Sequence, residues 1–484
     1  MSAWEAVVGL EVHAQLRTRT KLFCACPNEF GAPPNTHVCP VCLGLPGALP
    51  APNEAAIDLA LRAALALGGE VRERSVFARK SYFYPDLAKG YQISQFALPI
   101  IEGGAVPMAL EGEARSAALT RIHLEEDAAK NLHVQGETVV DFNRAGTPLI
   151  EIVGEPVLRS GAEAEAYLRA LREVLVFIGV NDGNLEEGSF RCDANVSIRP
   201  KGEERLGTRV ELKNINSFRF VRKAIDHEVA RQAALRESGG EVVQETRTWD
   251  ERQERTVAMR GKEEAHDYRY FPDPDLPPLV VDAARLARAE ETLPELPAAM
   301  RARWVETLGL TAQDAGVLAA HPAIAAYFEA VATGLGEAAG LKPAKAGKKA
   351  ANFVMAEVLR ETATEGVEAR FPAAAPEVAA LLALVEDGTI NGKIAKEVFA
   401  KMVATGEPPK TIVEREGLAQ VTDTAAIEAV VREVLAANPK QVEQYRGGKT
   451  AVLGFFVGQV MKATRGQANP KAVNEILRAL LAEG

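Results

Sequence analysis

Val8-Gly9-Leu10-Glu11-Val12-His13-Ala14-Gln15-Leu16 alternates between two kinds of side chain. Strand side chains point to opposite faces with a period of two. Val8, Leu10, Val12, Ala14 and Leu16 therefore share one face, and Glu11, His13 and Gln15 the other. Thr120 to Glu125 repeats the pattern, setting Thr120, Ile122 and Leu124 against Arg121, His123 and Glu125. Phe190 to Ile198 does so again, with Phe190, Cys192, Ala194, Val196 and Ile198 opposing Arg191, Asp193, Asn195 and Ser197. Each of the three predicted strands has an apolar face and an acid, imidazole or amide face.

Two readings fit this pattern. One is a set of half-buried antiparallel strands whose polar face is merely solvated. The other starts from the residue types: Glu11, His13, Glu125 and Asp193, with Glu151 in the apolar stretch Leu149 to Val153, are ligands suited to a hard divalent cation. Carboxylates gathered in this way repel one another unless a cation or arginine lies between them. Lys80, Arg191 and Lys213 are candidates to bind phosphate oxygens opposite such a cation. A divalent cation, basic groups and a positioned acceptor are the parts that phosphoryl transfer needs. The familiar nucleotide loops are missing. Gly448-Lys449-Thr450 would need a glycine at Glu443, and Gly334-Leu335-Gly336 has its next glycine at 340, one residue late, so it reads as a linker.

The chain has 484 residues, 25% of them charged and 47% hydrophobic, an ordinary globular composition that suggests about three domains. A net charge of -10 excludes a protein that grips a polyanion with its whole surface. The basic excess is local, since residues 440 to 484 carry seven basic groups (Lys440, Arg446, Lys449, Lys462, Arg465, Lys471, Arg478) and three acidic ones (Glu443, Glu475, Glu483). No apolar run reaches the ~18 residues of a membrane span, and Met1 to Glu11 lacks a secretory pattern, so a cytoplasmic location is expected.

All five cysteines and 19 of the 28 aromatic residues precede residue 272, which marks a sheet-rich first domain, 1–290. Ser160 with Glu163, and Ser217 before a run ending at Gly239-Gly240, announce two helices that cover one face of its sheet. The prolines at 272, 274, 277, 278, 294 and 297 close that domain. An alanine-rich helical domain, 291–405, follows, with Pro376 suited to a first helical turn. Gly406-Glu407-Pro408-Pro409 opens a small helical tail, 406–484. Cys24, Cys26, Cys39 and Cys42 form C-x-C and C-x2-C knuckles fit for a closed, structural tetrahedral zinc site, four free thiols being the other reading. His37 reads as a surface residue and Cys192 as a core one.

Longer motifs add a family resemblance. They are Val8 to His13, Lys80-Ser81-Tyr82-Phe83-Tyr84-Pro85-Asp86, Tyr91 to Gln95, His123 to Asp127, Asn143 to Glu151, Glu187 to Asn195, Asp267 to Pro272 and Gly454 to Lys462. In order and over nearly the whole chain, they resemble the B subunit of the tRNA-dependent aspartyl/glutamyl amidotransferases. The resemblance implies an α+β protein. It would have an antiparallel-sheet cradle domain, similar to glutamine synthetase and guanidino kinases, then the helical and tail domains.

It also implies a reaction. ATP activates the side-chain carboxylate of Glu-tRNA(Gln) or Asp-tRNA(Asn), and ammonia from the glutaminase, or A, subunit displaces the phosphate, with the C subunit tying the other two together. Magnesium is expected on Glu11, His13, Glu125 and Glu151, with Asp193 toward a second ion or the acceptor end. Lys80, Arg191 and Lys213 are expected on phosphates, and the basic tail on the tRNA body; neither membrane nor DNA is an expected partner. Two alternatives stand beside this reading: a non-catalytic, tRNA-binding scaffold of the same complex, and an archaeal relative with an inserted domain for which 484 residues leave no room.

Overall fold

The computed structural model describes residues 3–134, 136–259, 267–420, 424–464 and 468–482. Contacts divide the chain into two units, Met1–Pro297 with Glu365–Val367, and Ala298–Thr364 with Glu368–Gly484.

The first unit is built on a ten-stranded sheet. Its long strands are β1 (Trp4–Gln15), β4 (Glu113–Glu126), β5 (Pro148–Gly154) and β6 (Phe190–Pro200), followed by β7 (Val210–Lys213), β8 (Thr246–Asp250) and β9 (Arg255–Ala258). β2 (Ala78–Ser81) and β3 (Tyr91–Ser94) form a separate small sheet with Phe271–Pro272. The large sheet runs β9-β8-β7-β6-β1-β5-β4, continued by Ile101–Glu102 and Glu70–Val71, with Ala105–Leu110 also paired to β4.

The alternation decides which face is which. Val8, Leu10, Val12, Ala14 and Leu16 are all buried, and they share one core with Ile122, Leu124, Phe190, Ala194 and Val196. Helices α1 (Glu54–Ala66), α2 (Gly161–Phe177) and α3 (Phe218–Glu237) cover that face, contributing Ile57, Leu61, Leu168, Leu171, Val221 and Ile225. The expected caps are formed: Ser160 Oγ accepts from Glu163 N at 3.1 Å, and Ser217 Oγ from Phe220 N at 3.2 Å. Each satisfies an N–H that the helix itself leaves unpaired.

Antiparallel pairing is not universal, because β7 and β8 pair in parallel. A parallel pair needs a crossover rather than a hairpin, and α3 lies between the two strands in the chain.

The second unit is mainly helical. α4 (Pro322–Ala339), α5 (Pro343–Phe353), α6 (Ala375–Glu386) and α7 (Gly392–Thr405) bury Phe328, Val331, Leu335, Ala350, Val378, Leu381 and Val398. The stretch around residue 366 is not helical: Ala363–Glu365 pairs with Glu368–Arg370, and the turn between them, grouped with the first unit, holds Gly366, whose φ of 57° suits a tight turn. Gly334 and Gly336 are no linker. Both lie inside α4, and a Cβ at Gly334 would stand 3.0 Å from Ala379 Cβ on α6, so glycine permits close helix packing. α8 (Thr424–Ala437), α9 (Pro439–Arg446), α10 (Leu453–Ala463) and α11 (Pro470–Ala482) follow. α8, α10 and α11 share a core of their own that includes Ile427, Val431, Phe456, Val460, Val473 and Leu477. Arg465 and Glu483, counted in the tail charge, lie outside the described residues. Among the described residues no single helix is long and apolar enough to cross a membrane.

Leu10 sits on the central strand with 1% of its surface exposed. Leu10→Ala is expected to cost about 2–5 kcal/mol, read as a lower unfolding free energy in chemical denaturation.

Candidate functional site

Register assembles the polar face. Along the hydrogen-bonding direction, Arg191 on β6 stands opposite His13 on β1, His13 opposite Glu151 on β5, and Glu151 opposite His123 on β4. Four residues far apart in sequence thus make one row across the sheet. His13 Nε2 is 3.4 Å and His123 Nε2 3.5 Å from Glu151 Oε2. Glu125 adds Oε2 at 3.7 Å from His123 Nε2 and 3.9 Å from Lys80 Nζ, the latter brought in by β2. Ligand atoms of His13, Glu125 and Glu151 lie within 4.8 Å of one another, while Glu11 stands beside that trio, held by Asn195 Nδ2 at 2.8 Å.

The face is not simply solvated. His123 is 3% and Glu125 2% exposed, because the small sheet packs on this end of β4 and Gln92 Nε2 donates to both Glu125 Oε1 and the Glu126 carbonyl. The remaining expected residues form ion pairs. Lys213 Nζ reaches Asp193 at 2.7 Å and Glu211 at 3.2 Å, and Arg191 Nη2 reaches Asp127 at 2.9 Å.

Burial and charge set the ionisation of these groups. Burial raises Glu11, and the nearby charges of Glu151 and Asp193 raise it further. Burial would also raise Glu125 and Glu151, but the opposing charges win. Lys80 leads in lowering Glu125, and His123 and His13 lead in holding Glu151 well below the usual carboxylate range. Burial would lower His13 and Lys80, yet the Glu151 hydrogen bond raises the imidazole, and the charges of Glu125 and Glu151 raise the ammonium. The signs follow from linkage. The two lowered carboxylates stabilise the fold above their unfolded value of ~4.3 and lose that contribution as the pH falls. His13 contributes fully below its unfolded value of ~6.5, and that contribution is lost as the pH rises through its folded value.

The donor set fits a divalent cation. Carboxylate and imidazole are the ligand types such an ion takes, and those of His13, Glu125 and Glu151 converge within 4.8 Å, while Lys80 stands beside Glu125, Lys213 is paired with Asp193 and Glu211, and Arg191 is matched by Asp127. Among the described residues the buried Glu125 Oε2 has no partner at hydrogen-bond distance, His123 Nε2 and Lys80 Nζ standing 3.7 and 3.9 Å away, which leaves it room for a closer ligand.

The cysteines form a second cluster. The sulfurs of Cys24, Cys26, Cys39 and Cys42 lie within 4.8 Å of one another, and none is in a disulfide. Cys39 and Cys42 Sγ are 3.9 Å apart, against about 3.8 Å for the edge of a tetrahedron with ~2.3 Å zinc–sulfur bonds. A hydrogen bond from Cys24 is the largest influence holding the Cys42 thiol down, against burial and with help from the Cys39 N–H. His37 is not among the clustered ligands, and Cys192 is buried in the core.

Residues 6–287 match the family described as the GatB/GatE catalytic domain, and residues 337–481 match the GatB domain. Over 484 residues, covering 99% of both chains, the sequence is 57% identical to the B subunit of the aspartyl/glutamyl-tRNA(Asn/Gln) amidotransferase of Anaeromyxobacter sp. strain Fw109-5. The chain belongs to the GatB/GatE family. Proteins of the same name from Syntrophotalea carbinolica and Alkalilimnicola ehrlichii are each 55% identical over 482 residues, covering 99% of both chains. Both clusters of this GatB/GatE chain fall within the stretch matched to the catalytic domain.

Sequence reasoning placed His123 on the polar face without giving it a role, although the alternation carried that signal. It gave none to Asp127, Asn195 or Gln92 either. Asp127 lies just beyond the end of β4, where alternation stops, and Gln92 belongs to the other sheet.

In metal-free protein, His13 is expected to titrate above ~6.5 because of Glu151. Glu151→Gln leaves burial as the leading influence, so the His13 midpoint should fall below that of the parent chain in an NMR titration.

Proposed function

We propose that this GatB/GatE chain uses ATP to activate the side-chain carboxylate of Glu-tRNA(Gln), Asp-tRNA(Asn) or both, and completes the amide with ammonia from a glutaminase partner. The observation that carries this reading is the trio His13, Glu125 and Glu151, with Lys80 3.9 Å from Glu125, inside the stretch matched to a catalytic domain. A carboxylate resists amidation because oxide is a poor leaving group, and converting it to an acyl phosphate supplies phosphate instead.

Glu11, His13, Glu125 and Glu151 would hold magnesium, with Asp193 toward a second ion or the acceptor end. When bound, magnesium supplies neutralisation of phosphate charge. Lys80 offers a fixed positive charge to the transferring group. Arg191 and Lys213 are each anchored by a carboxylate, Asp127 and Asp193, which orients their remaining N–H donors toward phosphate oxygens.

The names of the relatives support an assembly with other subunits and a charged tRNA, here read as the A and C subunits of a cytoplasmic heterotrimer. The sheet unit is read as a cradle of the glutamine synthetase and guanidino kinase kind, spanning 1–290, with the helical domain at 291–405 and the tRNA-binding tail at 406–484. Zinc on the four cysteines would pin the loop between residues 24 and 42 without entering the chemistry.

Glu125→Ala should lower charged-tRNA-dependent ADP release from Mg-ATP by ~100-fold or more, while glutaminase activity in the assembled heterotrimer persists. Full ADP release by the variant would remove the chemistry from this site and leave a tRNA-holding scaffold. Lys440, Arg446 and Lys449 are exposed in and just after α9. Their replacement by glutamine should raise the KM for charged tRNA and flatten its salt dependence, without changing the KM for ATP.

A further inference from the structure

Lys21 is wholly buried, with 0% of its surface exposed, and among the described residues it makes no ion pair with a carboxylate. Burying an ammonium without a compensating charge is costly. Its Nζ donates to three acceptors: the His37 carbonyl at 2.7 Å, the Phe142 carbonyl at 3.3 Å and Cys42 Sγ at 3.7 Å. Three acceptors match the three hydrogens of the charged form, one more than a neutral amine carries. The stem is enclosed as well, since a Cβ at Gly146 would meet Lys21 Cδ at 3.5 Å, and Lys21 N bonds to the Cys26 carbonyl at 3.0 Å.

The anion that answers this charge lies in the cysteine cluster. Four protonated thiols are neutral and leave the ammonium uncompensated, whereas a thiolate at Cys42, alone or as part of a metal site, answers it directly. A zinc ion held by four thiolates carries a net charge of minus two, and one lysine beside it halves that excess. Cys42 is where the compensation converges, because its sulfur accepts both from Lys21 and from Cys39 N at 3.1 Å.

We infer that the Lys21 ammonium is the fixed countercharge of a zinc tetrathiolate formed by Cys24, Cys26, Cys39 and Cys42, and that it helps to retain the metal. This inference rests on the zinc reading given above. Lys21 is a positioning residue: through Cys42 it favours the all-thiolate state, and through His37 and Phe142 it ties the cysteine loop to the 141–147 turn. Groups that hydrogen-bond to metal ligands typically change metal affinity 10- to 100-fold.

The test uses the full-length reduced chain, its near-isosteric variant Lys21→Met, and Asn143→Ala as a control. Asn143 tethers the same loop without charge, accepting from His37 N at 2.8 Å and donating to the Pro33 carbonyl at 2.7 Å. Zinc affinity is read by competition with a chromophoric chelator, and the electronic state of the sulfurs by the thiolate-to-metal charge-transfer band of the cobalt(II) form. Lys21→Met is expected to bind zinc about 10-fold or more weakly and to move the cobalt band to lower energy, since a thiolate that loses a cationic donor is easier to oxidise. Asn143→Ala is expected to weaken retention with the band unmoved.

Equal affinity and an unmoved band in Lys21→Met would overturn the inference, as would weaker binding with an unmoved band, which would make Lys21 a mere strut. Wild-type protein that takes up neither zinc nor cobalt would instead sink the tetrathiolate reading itself. If Lys21→Met does not fold, Lys21→Gln, which keeps two donors and loses the charge, carries the same comparison.

Discussion

Two carboxylates, Glu125 and Glu151, are buried side by side on one face of a sheet, and much of the first unit is arranged to keep both ionised. Like charges so placed repel, and burial adds to the penalty. The answers come from different parts of the chain: His13 from β1, His123 from β4, and Lys80 from a strand of the neighbouring sheet. Where β1 and β6 run on, Lys213 answers Asp193 and Arg191 answers Asp127. Glu11 is held differently, its carboxyl raised by burial and by the charges of Glu151 and Asp193. The convergence of ligand atoms from His13, Glu125 and Glu151 within 4.8 Å of one another, rather than any single residue, is the physical basis for reading a cation there.

The opposite face makes this possible. Val8, Leu10 and Val12 anchor β1 in a core closed by α1, α2 and α3, so the sheet is fixed by apolar burial on one side and free to carry charge on the other. Strand alternation separates the two tasks residue by residue. Leu10 and Val12 hold the strand while Glu11 and His13 between them face the cluster.

That division is also why much of the site was legible in the sequence. A period of two, read on Val8 to Leu16, Thr120 to Glu125 and Phe190 to Ile198, identified the apolar and polar faces of three strands that lie in one sheet. Ser160 and Ser217 marked helix starts because a cap is a local hydrogen bond that needs no tertiary information. Illegible features were set by contacts distant in sequence. Gln92 reaches Glu125 only because two sheets meet, and the parallel pairing of β7 with β8 follows from the path of α3. Gly334 and Gly336 read as a linker, yet the helix runs through both, and at Gly334 the close approach of Ala379 gives glycine a packing role that offsets its cost in a helix. Lys21 carries no signal at all, since a lone lysine reads as a surface residue until its burial is seen.

The cross-strand row Arg191, His13, Glu151, His123 has an evolutionary consequence. Pairing fixes a reading frame for the sheet, and a shift by one residue exchanges the two faces completely. A single inserted or deleted residue inside β5 would send Glu151 toward the aliphatic core and bring Ile150 or Ile152 out among the charges. Substitutions can adjust this face one atom group at a time, whereas a change in strand length turns it inside out in one step. Length variation among related chains should therefore collect in the loops between these strands, leaving the strands themselves at constant length.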